Sequence, residues 1–311
     1  YESLLPEWTY KMFLDHVLIL CLSEKNNSQG AVDVGFYAQD GALGGLQILD
    51  ACSTGTVKTL FIAGENPLTS YPDRSRVKAA LEAVEFLVVS EMFLTETAAM
   101  ADVVLPVCSF AEKDGTFTST DRHVQYFKAA IRKSVQIKSD HEVFSALITL
   151  LGGTAPTSPS ATFSEIASKT PGYSGLSHVS LRKDGAYAPV VITPSLVVTQ
   201  VAPYKTVEQG KLAMVTGSAL YHNGTLSQHG EGPMHVCPEG YIELSRADAT
   251  AQKITDSDMI NVSSSTGSMQ LKVKVSPRMP AGVVFVPYHF SESPINTIWS
   301  GSPVTLVALA K

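Results

Sequence analysis

Apolar positions along the chain change period twice. From 7 to 23, Trp8, Phe13, Leu14, Val17, Leu18 and Cys21 recur at helical spacing and predict a first helix. From 57 to 107 the pattern becomes short continuous apolar runs: VKTLFIAG (57–64), FLVVSEM (86–92) and DVVLPV (102–107). Such runs read as strands buried on both faces. Between them, RSRVKAALEAV, with Asp73 placed to cap it, and the short ETAAMA predict helices. This alternation argues for a parallel sheet covered by helices. Ser90 and Ala101 are separated by about a dozen residues, near the minimum for a parallel crossover.

Two more helices are expected, over Leu46–Cys52 and over HEVFSALITLLGG (141–153) with its glycine stop. NNSQGAVDVGFYAQDGALGG, rich in Gly and without period, reads as a loop. SFAEKDGTFTSTDRHVQYFKAAI (109–131) reads as a polar loop with an extended ending. Between 154 and 205 Ser, Thr, Pro and Gly dominate, with one candidate helix near Phe163–Lys169, and the stretch reads as a connection. Beyond Lys211 the period is that of strands: LAMVTG, YIELS, DMINVSSSTGSMQLKVKVS and GVVFVPYHF, with a hairpin signature at Thr266-Gly267 and a short helical insert, SRADATAQ. A compact β-barrel follows from that spacing.

Composition narrows the function classes. The chain of 311 residues is 44% hydrophobic and only 17% charged, with mean hydropathy +0.11. That balance fits two domains with large cores, or a face covered by other protein. The net charge of −6 contains no basic block, so no nucleic-acid partner is expected. No apolar run nears the ~20 residues of a membrane span, so direct membrane insertion is not expected. Cys21, Cys52, Cys108 and Cys237 have neither CxxC nor metal-ligand spacing and read as buried reduced thiols. The first residues lack an initiator Met, a basic segment and a cleavage site, so the chain reads as a piece of a longer protein.

Four stretches carry candidate chemistry, and each has a plain structural alternative. GENP (64–67) follows the first strand, at the end where open α/β sheets bind ligands. Gly64 permits close approach, Asn66 offers donor and acceptor, and Pro67 stiffens the exit; an ordinary turn explains them equally. TETAAMADVVLP has Thr95 to cap a short helix, Glu96 at its positive end and small alanines against a sheet, which is also a tight packing unit. EKDGTFTSTDRHVQ gathers Glu112, Lys113, Asp114, Asp121, Arg122 and His123; such a set binds a heterocycle with phosphates, or is a solvated loop. TGSALYHNGTLSQHGEGP (216–233) carries His222 and His229 but fits no zinc pattern and no nucleophile elbow; it reads as a backbone-rich loop at the barrel mouth, or each histidine is simply a lone surface group.

In this order, and closing on PYHFSESPIN, these pieces resemble the C-terminal half of the molybdopterin oxidoreductase family. ADVVLP and EKxGT are the most specific parts, and the resemblance covers nearly the whole chain. It implies an α/β fold: a partial Rossmann-like parallel-sheet domain (1–153), a connection (154–205), and a C-terminal β-barrel of double-psi type (206–311). In members with molybdenum, segments matching Gly64, Asn66 and Pro67, and Glu112, Lys113, Gly115, Thr116, Asp121, Arg122 and Gln125, lie near a dinucleotide end. The segment matching Thr216, Gly217, His222, Asn223 and Thr225 contacts the pterins, with Asn296 from the late PxN element. Two departures weaken cofactor binding: Ser218 stands where many members have arginine, and His123 where a second arginine is common.

LYHNGTLS and VFVPYHFSESPIN are more similar to the G subunit of NADH-quinone oxidoreductase (complex I) than to catalytic formate dehydrogenases. On that resemblance the metal ligand and the iron–sulfur cysteines lie upstream, so no catalytic or metal-ligating residue is expected here. Molybdopterin guanine dinucleotide is the family cofactor, and the isolated chain is expected not to hold it. The implied partners are the missing N-terminal half and other subunits of a respiratory or dehydrogenase complex. The implied location is cytoplasmic, peripheral to the inner membrane. The alternative is half of a molybdenum or tungsten bis-pterin oxidoreductase such as a formate dehydrogenase, contributing to cofactor binding.

Overall fold

The computed structural model describes residues 27–35, 43–187, 208, 210–222 and 224–311. The expected helix at 7–23 and most of the glycine-rich stretch lie outside them, although Ser28–Asp33 within that stretch is a helix rather than loop. The described residues form two compact units: 27–35 with 106–187, and 43–105 with those from 208 to 311.

The second unit begins with a helix, Gly45–Ser53, and a three-stranded sheet in the order β1 (Thr59–Ala63), β2 (Phe86–Glu91), β3 (Val103–Pro106). β1 and β2 run parallel, with Thr59 opposite Phe86 and Ala63 opposite Ser90. The helix Arg74–Glu82 crosses between them, and Asp73 caps it by accepting the Arg76 N–H. Leu49, Cys52, Val77, Ala80, Leu81, Leu87, Val89 and Ala98 form one core. ETAAMA is a single 3₁₀ turn, Ala98–Met100, rather than a longer helix, and Thr95 Oγ1 accepts the Ala98 N–H at 3.2 Å. Asp102 ends it: its carboxylate accepts the Leu87 N–H at 2.7 Å while its own N–H reaches the Leu87 carbonyl at 2.9 Å. The buried Ala98 methyl lets the turn lie flat against the strands.

The same unit closes with a six-stranded barrel. Its strands are β7 (Leu212–Gly217), β8 (Tyr241–Ser245), β9 (Met259–Ser263), β10 (Ser268–Ser276), β11 (Val283–Pro287) and β12 (Thr305–Ala310). The order around the barrel is β10-β8-β11-β7-β12-β9, with parallel pairs β8–β10 and β7–β11, the crossed arrangement of a double-psi barrel. Alternate side chains point inward, so Leu212, Met214, Ile242, Leu244, Ile260, Val262, Leu271, Val273, Val284 and Val286 make one apolar interior. SRADATAQ is the helix Arg246–Ala251, as its pattern predicts. β12 has no counterpart among the expected strands.

In the first unit, residues 109–127 are more ordered than a polar loop. A 3₁₀ turn, Phe110–Glu112, leads into a hairpin of β4 (Gly115–Thr118) and β5 (His123–Phe127), with β6 (Ala186–Tyr187) added beside β5. Helices Asp140–Leu150 and Pro159–Lys169 complete it, each capped by a serine, Ser139 and Ser158. Within the stretch read as a connection, the candidate helix near Phe163–Lys169 is Pro159–Lys169, and Phe163, Tyr173 and Leu181 pack with Val124 as a small core. Their spacing among Ser, Gly and Pro follows no period, so composition alone hides this core.

Candidate functional site

The carboxyl ends of β1 and β2 hold a hydrogen-bonded knot. Gly64 leaves β1 with φ of 63°, a left-handed turn that suits glycine, and its N–H reaches the Ser90 carbonyl at 2.8 Å. The Asn66 amide nitrogen donates to Glu96 Oε2 at 2.8 Å and to Thr69 Oγ1 at 2.9 Å. The Thr97 hydroxyl donates to Asn66 Oδ1 at 2.6 Å and accepts the Leu68 N–H at 3.3 Å. Pro67 opens the short helix Pro67–Ser70 and is buried. GENP and TETAAM are therefore one unit, in which the amide nitrogen and the amide oxygen of Asn66 are both engaged. From the barrel, the wholly buried Asn296 donates both amide hydrogens, to the Leu68 and Tyr71 carbonyls, each at 2.8 Å. Its Oδ1 is buried with no partner among the described residues.

At the ends of the parallel pair β7–β11, the Thr216 hydroxyl donates to the Tyr288 hydroxyl, and the Tyr288 N–H donates to the Gly217 carbonyl at 2.9 Å. His222 is completely buried against Phe290, ring centroids 4.8 Å apart. Its Nε2 lies 2.8 Å from the Cys237 carbonyl and therefore carries the proton; Nδ1 lies 2.8 Å from Ser227 Oγ. Both ring nitrogens fold the loop on itself. Thr225 starts the 3₁₀ turn Thr225–His229, whose His229 stacks on Phe93 at 3.6 Å. Asn223 lies outside the described residues. His289 sits beside Ser218 Oγ at 3.5 Å, and burial, followed by the nearby His222, lowers its pKa.

The first unit splits the remaining candidates in two. Glu112, Lys113, Gly115 and Thr116 line an open cleft of about 670 Å³, between the start of β4 and the N-termini of the two helices. Glu112 accepts both the N–H and the hydroxyl of Ser109 at 2.9 Å, which lowers its pKa. Lys113 is ion-paired with Asp140, and Lys133 with Glu142. A Cβ on Gly115 would sit 2.7 Å from the Phe127 ring, so glycine is what lets that ring lie across the strand. Asp121, Arg122 and Gln125 do not line this cleft. Asp121 takes the Ser119 hydroxyl, which lowers its pKa, and shapes the hairpin turn. Arg122 holds a left-handed φ of 68°, and its Nε is buried without a partner among the described residues. Gln125 is exposed.

These contacts test the fit to a pterin dinucleotide. A pyrophosphate needs cationic or N–H donors that face it. Ser218 supplies no charge, Lys113 is already paired, and Asn66, His222 and the Asn296 amide nitrogen are engaged within the chain. Of the candidate residues, Arg122, with its unpaired Nε, has the donor chemistry of a phosphate ligand. No group of three or more metal-ligating side chains occurs among the described residues. Sequence reasoning named Thr97 only as opening the short crossover with Glu96, and did not single out Tyr288 or the cleft partners Lys133, Asp140 and Glu142; only their position within or beside the motifs marks them.

Residues 9–150 match the family description "Molybdopterin oxidoreductase", and 212–308 match "Molydopterin dinucleotide binding domain". A G subunit of NADH-quinone oxidoreductase (number 2) from Rhizobium meliloti is 34% identical over 81% of this chain and 30% of its own length. The F420-dependent formate dehydrogenase subunit alpha of Methanocaldococcus jannaschii is 33% identical over 78% of the chain and 40% of its own. The NADPH-Fe(3+) oxidoreductase subunit alpha of Geobacter sulfurreducens is 31% identical over 82% and 30%. The chain thus spans 30% to 40% of the length of these curated relatives. Among solved structures, acetylene hydratase from Pelobacter acetylenicus shares the fold, with TM-score 0.67 at 13% identity over 85% of this chain and 46% of that one. With a parallel sheet and a double-psi barrel placed under both matches, the chain belongs to the molybdopterin oxidoreductase family.

Proposed function

We propose that the chain is the C-terminal part of a G subunit of the NADH-quinone oxidoreductase type, keeping the molybdopterin oxidoreductase fold as a scaffold within an electron-transfer complex. The observation that carries this reading is the knot of Asn66, Glu96, Thr97 and Asn296. Asn66 and Asn296, at family cofactor positions, are tied instead to Glu96 and Thr97 and to the Leu68 and Tyr71 carbonyls, respectively. Serine in place of arginine at position 218 supports the same reading, as does the likeness to the Rhizobium meliloti G subunit. Iron–sulfur clusters and redox chemistry then belong to the upstream part of the same polypeptide. Its partners are that part and the other subunits, in a cytoplasmic assembly peripheral to the inner membrane. No helix among the described residues is long and apolar enough to cross a membrane.

One observation favours a second reading. The Arg122 Nε, without a partner among the described residues, suits a phosphate of a pterin dinucleotide, as in a formate dehydrogenase type oxidoreductase with molybdenum or tungsten. In that case Arg122 would hold the dinucleotide, and the bound metal would supply the redox step. Elemental analysis of the full-length protein separates the two: stoichiometric molybdenum or tungsten overturns the scaffold reading.

A further inference from the structure

The cleft of the first unit has chemistry opposite to that expected of a dinucleotide site. Four carboxylates line it, Glu112, Asp114, Asp140 and Glu142, against two ammonium groups, Lys113 and Lys133. Both lysines are bound to carboxylates of the same cleft, so the lining carries an excess of two negative charges. The Glu112 Oε2 atom takes the Ser109 bonds, and Asp140 Oδ2 takes Lys113; the second oxygen of each has no side-chain donor among the described residues and remains an acceptor. Beside them is an aromatic platform. Gly115 and Phe117 share one face of β4, and Phe127 faces them from β5. Because Gly115 has no Cβ, the Phe127 ring lies flat and stacks on Phe117 at 4.6 Å and 22°. Phe117 remains 46% exposed and Phe110 59% exposed.

A negative lining beside exposed ring faces selects a cation that is flat, weakly hydrated and able to donate in a fork. Those are the properties of a guanidinium, which stacks on aromatic rings and pairs with carboxylates. A pyrophosphate or a nucleotide phosphate would instead meet uncompensated carboxylates. We infer that this cleft docks an arginine side chain of a partner polypeptide, its guanidinium between the Phe117 ring and the carboxylates of Glu112 and Asp140. The cleft thereby gives the proposed scaffold a docking point, and it rests on the scaffold reading only for the nature of the partner.

The test is a titration of the full chain with the tripeptide acetyl-Gly-Arg-Gly-amide, followed by nuclear magnetic resonance of the Phe117 and Gly115 signals. The glutamate tripeptide and inorganic pyrophosphate are the comparison ligands. The arginine peptide should bind more tightly than either, weaken several-fold between 50 and 200 mM salt (about a halving of the screening length), and weaken at least about fivefold in Glu112→Gln. Glu112→Gln keeps an acceptor for the Ser109 N–H, so the turn persists. Phe117→Leu, which keeps an apolar side chain on the strand, should weaken binding as well. Tighter binding of pyrophosphate, or arginine-peptide binding indifferent to both variants, overturns the inference. Either outcome is independent of metal content, so its failure and that of the scaffold reading are distinguishable.

Discussion

Asn296→Ala tests whether the late PxN asparagine is an internal anchor. Asn296 is wholly buried and donates to two carbonyls, Leu68 and Tyr71, at 2.8 Å. Each bond contributes ~1 kcal/mol net, so losing both costs ~2 kcal/mol. The vacated volume adds ~1 kcal/mol. Removal of the unpaired Oδ1 returns ~1 kcal/mol, because a buried polar atom without a partner is itself unfavourable. The expected loss is ~2 kcal/mol in the sheet–barrel unit. Asn296→Asp should be worse, ~3 kcal/mol or more, since it places a carboxylate against two carbonyl oxygens. The assay is urea unfolding followed by Trp299 fluorescence in a Trp8→Phe background; the Trp299 indole N–H donates to the Ser302 carbonyl within the same unit. The midpoint should fall for Ala and further for Asp, with unchanged slope. A neutral Asn296→Ala, or an aspartate variant more stable than the alanine one, refutes the anchoring role.

Two further outcomes concern the first unit. Gly115→Ala places a Cβ 2.7 Å from the Phe127 ring, and overpacking of this kind costs ~1–3 kcal/mol; it should also abolish the upfield ring-current shifts of the Phe117–Phe127 stack. Acidification should act through two groups. Burial between Tyr126 and Phe163 lowers the His178 pKa, against the opposing pull of Asp114 and with some push from Arg182. A base whose folded pKa is depressed contributes stability that is complete above its unfolded value near 6.5 and is lost as pH falls through the folded value. Glu142 is held at about 2 by Lys133 and Ser139, so its contribution is complete above about 4.5 and is lost toward pH 2. Stability should therefore fall less steeply as pH drops below about 6.5 in His178→Phe, and less steeply from about 4.5 toward 2 in Lys133→Met.

The hydrophobic pattern makes the sheet and most of the barrel legible because their strands are apolar on the buried face. TLFIA, FLVVSE, MINVS and VVFVP need no partner information to be read as strands. The hairpin 115–127 is hidden because GTFT and HVQYF alternate around glycine, threonine and glutamine, leaving no apolar run. SQGAVD is helical despite a composition that reads as loop. At the candidate site, the motifs name stretches of the chain, but not which atoms face one another. Asn66 and Glu96 are 30 residues apart and Asn296 and Leu68 are 228, so their bonds depend on tertiary packing. Likewise, His222 in LYHNGT looks like an exposed loop group until Cys237 and Ser227 are placed on its two nitrogens.

On the scaffold reading, positions that face the pterins in molybdenum-bearing relatives serve this chain's own architecture instead. The deciding measurement is metal content of the full-length protein, purified without chelators and assayed by inductively coupled plasma mass spectrometry. Iron from upstream clusters with no stoichiometric molybdenum or tungsten is the expected result; one atom of either metal per polypeptide would refute the scaffold role.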